Sequence, residues 1–232
     1  MARSATGPRP FLAAAAGVAV GAVVVVALAV AGWPPADDDA PTEPPAVSTA
    51  AASRFLAAWE RSLRGTWVVD ARFVRVTAAG GRLTLEVHTA QRPPDRLSAG
   101  QGRVEARLGG RRLGCTAGED GVLACKEEGG ARPYDEEVAE DMRTLATYVR
   151  GPGAFYAVGD EGDCFRLRLR LRVLSPPYGE RARFCFDRAT GAPVRSEIEK
   201  REGVDRTVAI SVRAQPTDDD LDPERWRAEQ PR

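Results

Sequence analysis

Apolar residues fall in three patterns along this chain, and each pattern predicts a different element. Phe11 to Ala31 carry no charge and no strongly polar side chain. At about 1.5 Å rise per residue, that run makes a helix of roughly 30 Å, apolar on every face and as long as a bilayer core is thick. A second pattern has helical spacing. Phe55, Leu56, Trp59 and Leu63 form one short stripe, and Gly65 is a suitable stop. Val138, Met142, Leu145 and Val149 form another, with Asp135 as a cap, Glu136 and Glu137 at the positive end and Gly151 beyond it.

The third pattern is alternation. Trp67, Val69, Ala71 and Phe73 alternate with smaller or polar neighbours, as do Leu83, Leu85 and Val87, and Gly80-Gly81 turns between them. Short strands follow near Leu97, 104–108, 113–116 and 122–126, then longer ones over 164–174, 181–187, 193–200 and 204–213. Short turns between strands give an antiparallel meander, and two helices cannot cover both faces of it. The predicted fold is α+β. One curved antiparallel sheet carries both helices against its concave face, preceded by a single transmembrane helix.

The flanks of the first run set a topology. Arg3 and Arg9 precede it; Asp37, Asp38, Asp39 and Glu43 follow it. Basic flanks stay in the cytoplasm, so the rest of the chain is placed outside. The expected segments are a cytoplasmic stub (1–10), a signal anchor (11–31), a Pro- and acid-rich linker (32–52), an extracytoplasmic domain (53–214) and a flexible acidic tail (215–232) in which Trp226 is the one candidate for docking. Ala29-Val30-Ala31 has the form of a cleavage site, so secretion after cleavage near Ala31 is the alternative. The run exceeds a usual signal core of about 7–15 residues, which favours the anchor.

Composition removes several function classes. Lys plus Arg and Asp plus Glu are both 33, and this balance excludes a strongly basic nucleic-acid binder. The zero is a cancellation along the chain: the domain 53–214 holds 28 basic against 23 acidic residues, while the linker and tail are acidic. One histidine, His88, leaves little for a zinc site or a Ser-His nucleophile. With Glu86 and Asp70 it is the single acid-base set, on strand positions read as solvent-facing. No catalytic residue, metal or cofactor is expected, and the protein is read as not an enzyme.

Four cysteines in an oxidising compartment allow three pairings. Cys115 shares a face with Leu113, and Cys125 with Leu123, across one hairpin. Cys164 and Cys185 lie on a polar face with Arg166 and Arg183, across another. Cross-pairing joins a core-facing to a solvent-facing residue, so Cys115–Cys125 and Cys164–Cys185 are expected.

Two strand faces stand out as candidate sites. Leu83, Leu85, Phe165, Leu167, Leu169, Leu171, Phe184 and Phe186 make an apolar sheet face, with Val208, Ile210 and Val212 joining it. It is read as core, or as a partly covered surface for lipid chains. Arg166, Arg168, Arg170 and Arg172 make a basic ladder, read as a solvated face paired with Glu197 and Glu199, or as a grip on an anionic partner.

The order of elements, with Arg92-Pro93-Pro94-Asp95-Arg96-Leu97 and the late Gly191-Ala192-Pro193 hairpin, resembles the LolA-like lipoprotein-carrier half-barrel of bacterial envelopes and the related lipoglycan carriers. The resemblance covers about residues 53–214. It implies a half-barrel plugged by helices that binds acyl chains, at a bacterial cell membrane. This chain departs in having no cysteine before Cys115 to lipidate, and in having an anchor and two expected disulfides. The function expected is a membrane-anchored extracytoplasmic domain binding a lipid or lipidated protein. The alternative is a protein-interaction or sensory ectodomain with a protein partner and no small-molecule ligand.

Overall fold

The computed structural model describes residues 48–118, 122–171 and 173–227. The expected anchor at 11–31 and most of the linker lie outside the described residues. Among the described residues no helix is long and apolar enough to cross a membrane.

Helix α1 (Thr49–Arg64) starts ahead of the expected boundary at residue 53. Ser48 caps it by accepting a hydrogen bond from the Ala51 amide at 3.2 Å, and Ala51 and Ala52 are already buried. Arg61 and Arg64 occupy the last turn, where cations suit the negative end, and Gly65 ends it. Six strands follow: β1 (Trp67–Thr77), β2 (Arg82–Arg92), β3 (Asp95–Gly100), β4 (Arg103–Leu108), β5 (Arg111–Ala117) and β6 (Leu123–Gly130). Helix α2 (Tyr134–Val149) comes next, then β7 (Tyr156–Glu161), β8 (Cys164–Leu169), β9 (Arg181–Phe186), β10 (Pro193–Lys200) and β11 (Gly203–Arg213). Pro133, not Asp135, stands at the α2 N-cap; Asp135 lies in the first turn.

The strands form one antiparallel sheet in the order β6-β5-β4-β3-β2-β1-β11-β10-β9-β8-β7. The first and last strands meet in the middle, so each arm is a meander of short hairpins. Cross-strand partners share a face, and the register therefore sorts residues across the sheet. Leu85, Phe73, Thr207, Ser196, Phe184 and Phe165 form one row. Phe55 of α1 packs on Phe165 and Phe184, so this row is on the helix-bearing face.

Polar bonds anchor one end of each helix to that face. The buried Gln91 amide donates to the carbonyls of Ser62, Leu63 and Gly65, satisfying the open end of α1. Arg96, its cross-strand partner, lies 6.0 Å over the Trp67 ring, and burial pulls its guanidinium below the usual range. At the start of α2, Glu137 takes Arg112 at 2.5 Å and Arg107 at 3.3 Å. Besides standing at the positive end of the helix, it fixes α2 to the β4–β5 arm.

Four sequence expectations are corrected. β7 was not anticipated; its run Tyr156-Ala157-Val158 is too short to register before Gly159. β8 ends at Leu169, although the alternation continues to Val173. Its last partner on β9 is Arg181, and Pro176-Pro177 cannot supply a ladder to extend it. In β11 a bulge opposite Asp70/Ala71 displaces Ile210 from the ladder and turns Val208 to the opposite face. Val208 and Ile210 are exposed, and only Val212 packs on the helix-bearing face beside Trp67 and Val69. Finally, the stretch read as a flexible tail carries two 3-10 turns, Asp219–Leu221 and Pro223–Arg227. Leu221 is buried and Trp226 partly so, both against the face opposite the helices.

Candidate functional site

The helix-bearing face changes character along its rows. Over β7 to β9 it is shut. Phe165, Leu167, Phe184 and Phe186 are buried beneath Phe55, Leu56, Leu145 and Val149. Trp59 and Tyr178 extend this aromatic cluster, with Trp59–Phe184 at 5.2 Å and Tyr178–Phe184 at 5.3 Å between ring centroids. Tyr178 is tied down by its amide, which donates to the Tyr156 hydroxyl at 2.9 Å. Burial pushes the Tyr156 phenol up to about 12 and raises Tyr178 as well.

Over β1, β2 and β11 the same face opens. Phe73, Leu85 and Val87 are half-buried, and Leu83 is 39% exposed. Arg75 crosses this strip and makes a two-point pair with Asp205 at 2.6 and 2.8 Å. Lys200 adds a third bond to Asp205 at 2.9 Å, so the strip's charged cluster is internally paired with one positive charge in excess. Desolvation works to raise the Asp205 carboxyl, but Arg75 and Lys200 outweigh it and hold it low. Beyond β8, Leu171 is 40% exposed and Leu174 fully so. A shallow groove of about 360 Å³ also runs between the helices, lined by Leu56, Ala57, Met142 and Ala146 with Arg143 and Arg150 at its rim.

The eight residues read as an apolar ligand face are therefore split. Phe165, Leu167, Phe184 and Phe186 are core; Leu169 is half-buried at its edge; Leu83, Leu85 and Leu171 reach solvent. Phe73 belongs to the open strip and was missed as a candidate. Its place directly beside Leu85 is a register relation, not a sequence-local one.

Arg166 of the ladder joins a network of pairs with arginines of the neighbouring strands. Arg166 and Arg183 share Glu161, Arg181 meets Glu199 at 3.2 Å, and Arg195 and Arg206 converge on Glu197. Desolvation opposes ionisation of Glu197, and its two arginines outweigh that and lower it. Arg170 falls beyond the strand end, with Nε and Nη1 buried. Arg168 lies on β8 with a partner of its own, and Arg172 is outside the described residues.

Cys115–Cys125 and Cys164–Cys185 are bonded, each between direct cross-strand partners, with Cα atoms 3.9 and 4.0 Å apart. The reason given for this pairing was wrong. Register carries both bridges to the same face, away from the helices. Adjacency within each hairpin, not core against solvent, selects the partners.

His88 is also corrected. It is 4% exposed, covered by the tail, and its ring packs tilted against Trp226 at 4.7 Å between centroids. Among the described residues, no group of three His, Cys, Asp or Glu could hold a metal ion.

Comparison with solved structures gives similarity of overall fold at low identity. MucB is 18% identical, with 75% of this chain and 63% of MucB covered, at a TM-score of 0.41. LprF from Mycobacterium bovis is 10% identical, with 77% and 99% covered, at 0.38. A LolA superfamily protein from Nitrosomonas europaea is 7% identical, with 75% and 98% covered, at 0.34. The chain spans under two thirds of MucB's length. No protein-family model matches the chain, and no curated protein matches it.

Proposed function

We propose that this chain is an extracytoplasmic domain, anchored by residues 11–31, that binds a lipid or a lipidated partner without chemistry of its own. The observation that carries the reading is the helix-bearing face. Its closed aromatic core ends at Phe184, and beyond the polar pair Ser196 and Thr207 the same row resumes with Phe73 and Leu85, half-buried beside the exposed Leu83. An apolar strip beside a packed aromatic wall suits an acyl chain, whose burial yields about 0.8 kcal/mol per methylene. Two disulfides favour an oxidising compartment, and the uncharged run 11–31 supplies an anchor of bilayer length. The paired arginines of the opposite face leave the alternative, a protein-interaction ectodomain gripping an anionic partner, with less to stand on.

Native mass spectrometry of the full chain, extracted in a mild detergent, tests the proposal. A mass increment that extracts as lipid is expected. Leu85→Asp should abolish it while leaving the melting temperature within a few degrees, because Leu85 is not core. A clean apo mass from the wild-type chain, together with no labelling of β1 or β2 by a photoactivatable fatty acid, would overturn it.

A further inference from the structure

His88 sits where the C-terminal segment crosses β2, and both of its ring nitrogens face oxygen acceptors. Nδ1 is 2.7 Å from Asp70 Oδ1, and Nε2 is 3.2 Å from the main-chain carbonyl of Asp220. A neutral imidazole carries one N–H. In either tautomer, one ring nitrogen then turns a lone pair toward an oxygen lone pair. Only the imidazolium donates at both contacts. The ring is buried under Trp226, and water reaches the pair only from the half-exposed Asp70 side, leaving the Nε2 contact dry.

The charged groups around the ring are arranged to accept that proton. From β1, Asp70 faces Nδ1; its other oxygen accepts the Ser211 hydroxyl of β11 at 2.7 Å. Also from β11, Arg213 reaches Asp220 through two bonds of 2.7 and 3.1 Å. From the second 3-10 turn, Arg225 lies 3.6 Å from Asp220 and over the Trp226 ring. Both guanidiniums bond or approach Asp220, Arg213 also acts on Asp70 through space, and the ring lies between the two carboxylates, with Nε2 4.0 Å from Asp220 Oδ1. Ala99, the β3 partner of His88, is apolar. At the rim, Arg92 pairs with the exposed Asp218 at 3.0 Å.

We propose that His88 is a proton-operated latch that fastens residues 217–226 over the apolar face of β2 to β6 when protonated and loosens them when neutral. What the segment covers is Val68, Ala90, Leu97, Val104, Cys115 and Leu123, all buried, against which Leu221 and Trp226 pack. Asp70 and Asp220 are both held below the usual carboxylate range. Desolvation opposes this in each, and hydrogen bonds from His88 and Ser211, or from Arg213 and Thr217, outweigh it. The carboxylates therefore remain acceptors in mild acid. The latch is closed while the ring carries both protons and opens when it loses one.

The chain has one histidine, so its imidazole nitrogen-15 resonances report His88 alone. The test follows those resonances in the full chain between pH 5 and 9, alongside hydrogen exchange of the Asp220 and Leu221 amides. Expected is an imidazolium pattern in mild acid, and tail exchange that accelerates about tenfold with the same midpoint, the loss of one buried hydrogen bond. Exchange is compared after correction for its intrinsic pH dependence. Amides of α1 should not follow that midpoint. His88→Gln should flatten the tail's pH response. Tail protection that stays constant across the imidazole titration would overturn the proposal, and this arm needs only the wild-type chain. A neutral ring in mild acid with the tail still docked would also overturn it.

Discussion

The two faces of this sheet are buried by different means. On the helix-bearing face, large aromatic side chains of β8 and β9 lie beneath two helices of four turns or more, and this central contact is apolar, with polar bonds at the helix ends. On the other face, at the opposite arm, the residues are small: Ala90, Ala99 and Ala106 beside Leu97 and Val104. Their cover is a short segment with one leucine and one tryptophan. It is held in place by polar bonds, from Arg213 and Thr217 to Asp220 and from His88 to the main chain. Area scales with apolar stabilisation, so the first cover is part of the global fold. The second buries little and depends on a few hydrogen bonds, which places it among regions that open locally. One sheet thus carries a permanent lid and a conditional one.

The largest test of that contrast is Phe184→Ala. Phe184 is buried and touches Phe55, Trp59 and Tyr178. Its truncation leaves a cavity that the two helices cannot close, and a loss of about 3–5 kcal/mol is expected. Urea unfolding should show the whole domain shifting in one transition. A loss confined to the helices, with the β3–β5 arm unchanged, would mean the arms fold separately and the comparison is drawn in the wrong place.

A smaller effect, and a local one, is expected from Asp220→Ala. The substitution removes bonds to Arg213 and Thr217, whose net contribution is about 1–2 kcal/mol with Arg213 half exposed to solvent. The readout is trypsin cleavage at Arg225, which should become several-fold faster while the urea midpoint barely moves. The pH sign follows from the carboxyl being held low in the folded state. Its contribution is present above the ordinary carboxyl range near 3.9 and is lost only as pH falls well below that. The wild-type tail should therefore stay docked through mild acid and loosen in strong acid. Loosening already near pH 5 would place Asp220 outside the latch.

How much of this could be read from residues alone differs between the two faces. The helix-bearing face announced itself, because Phe55, Trp59 and Val138 to Val149 follow helical spacing and Phe165 and Leu167 alternate. Local periodicity sufficed where the burying element and the buried one both had it. The other face did not. His88 read as solvent-facing because its strand neighbours Glu86 and Thr84 are polar and exposed. What buries it is Trp226, in a stretch whose Asp-rich composition argues for disorder. Those aspartates proved to include Asp220, a buried anchor for Arg213, and composition cannot separate such an acid from a solvated one. The β11 bulge is a similar case: Val208, Ile210 and Val212 alternate faultlessly, and a single displaced residue sends them to different environments. The disulfides show the converse, a correct pairing reached through a face assignment that register overturns.

The smallest effect is expected where the sequence pattern looked most functional. Arg166 and Arg181 stand on the face away from the helices, both about half exposed, and are paired with Glu161 and Glu199. Exposed pairs of this kind contribute about 0.2–1 kcal/mol, because solvent screens them and ordering two long side chains costs entropy. Glu161 keeps Arg183 at 3.3 Å if Arg166 is removed, so the acid is not stranded. Arg166→Gln with Arg181→Gln should therefore change stability by less than about 1 kcal/mol and leave lipid retention unaltered. The comparison between faces makes this more than a control. If the lipid site lies on the helix-bearing strip, the double variant keeps its bound mass in native spectrometry while Leu85→Asp loses it. If the double variant loses the mass and Leu85→Asp keeps it, the anionic head is gripped on the far side of the sheet, and the permanent lid covers nothing but core.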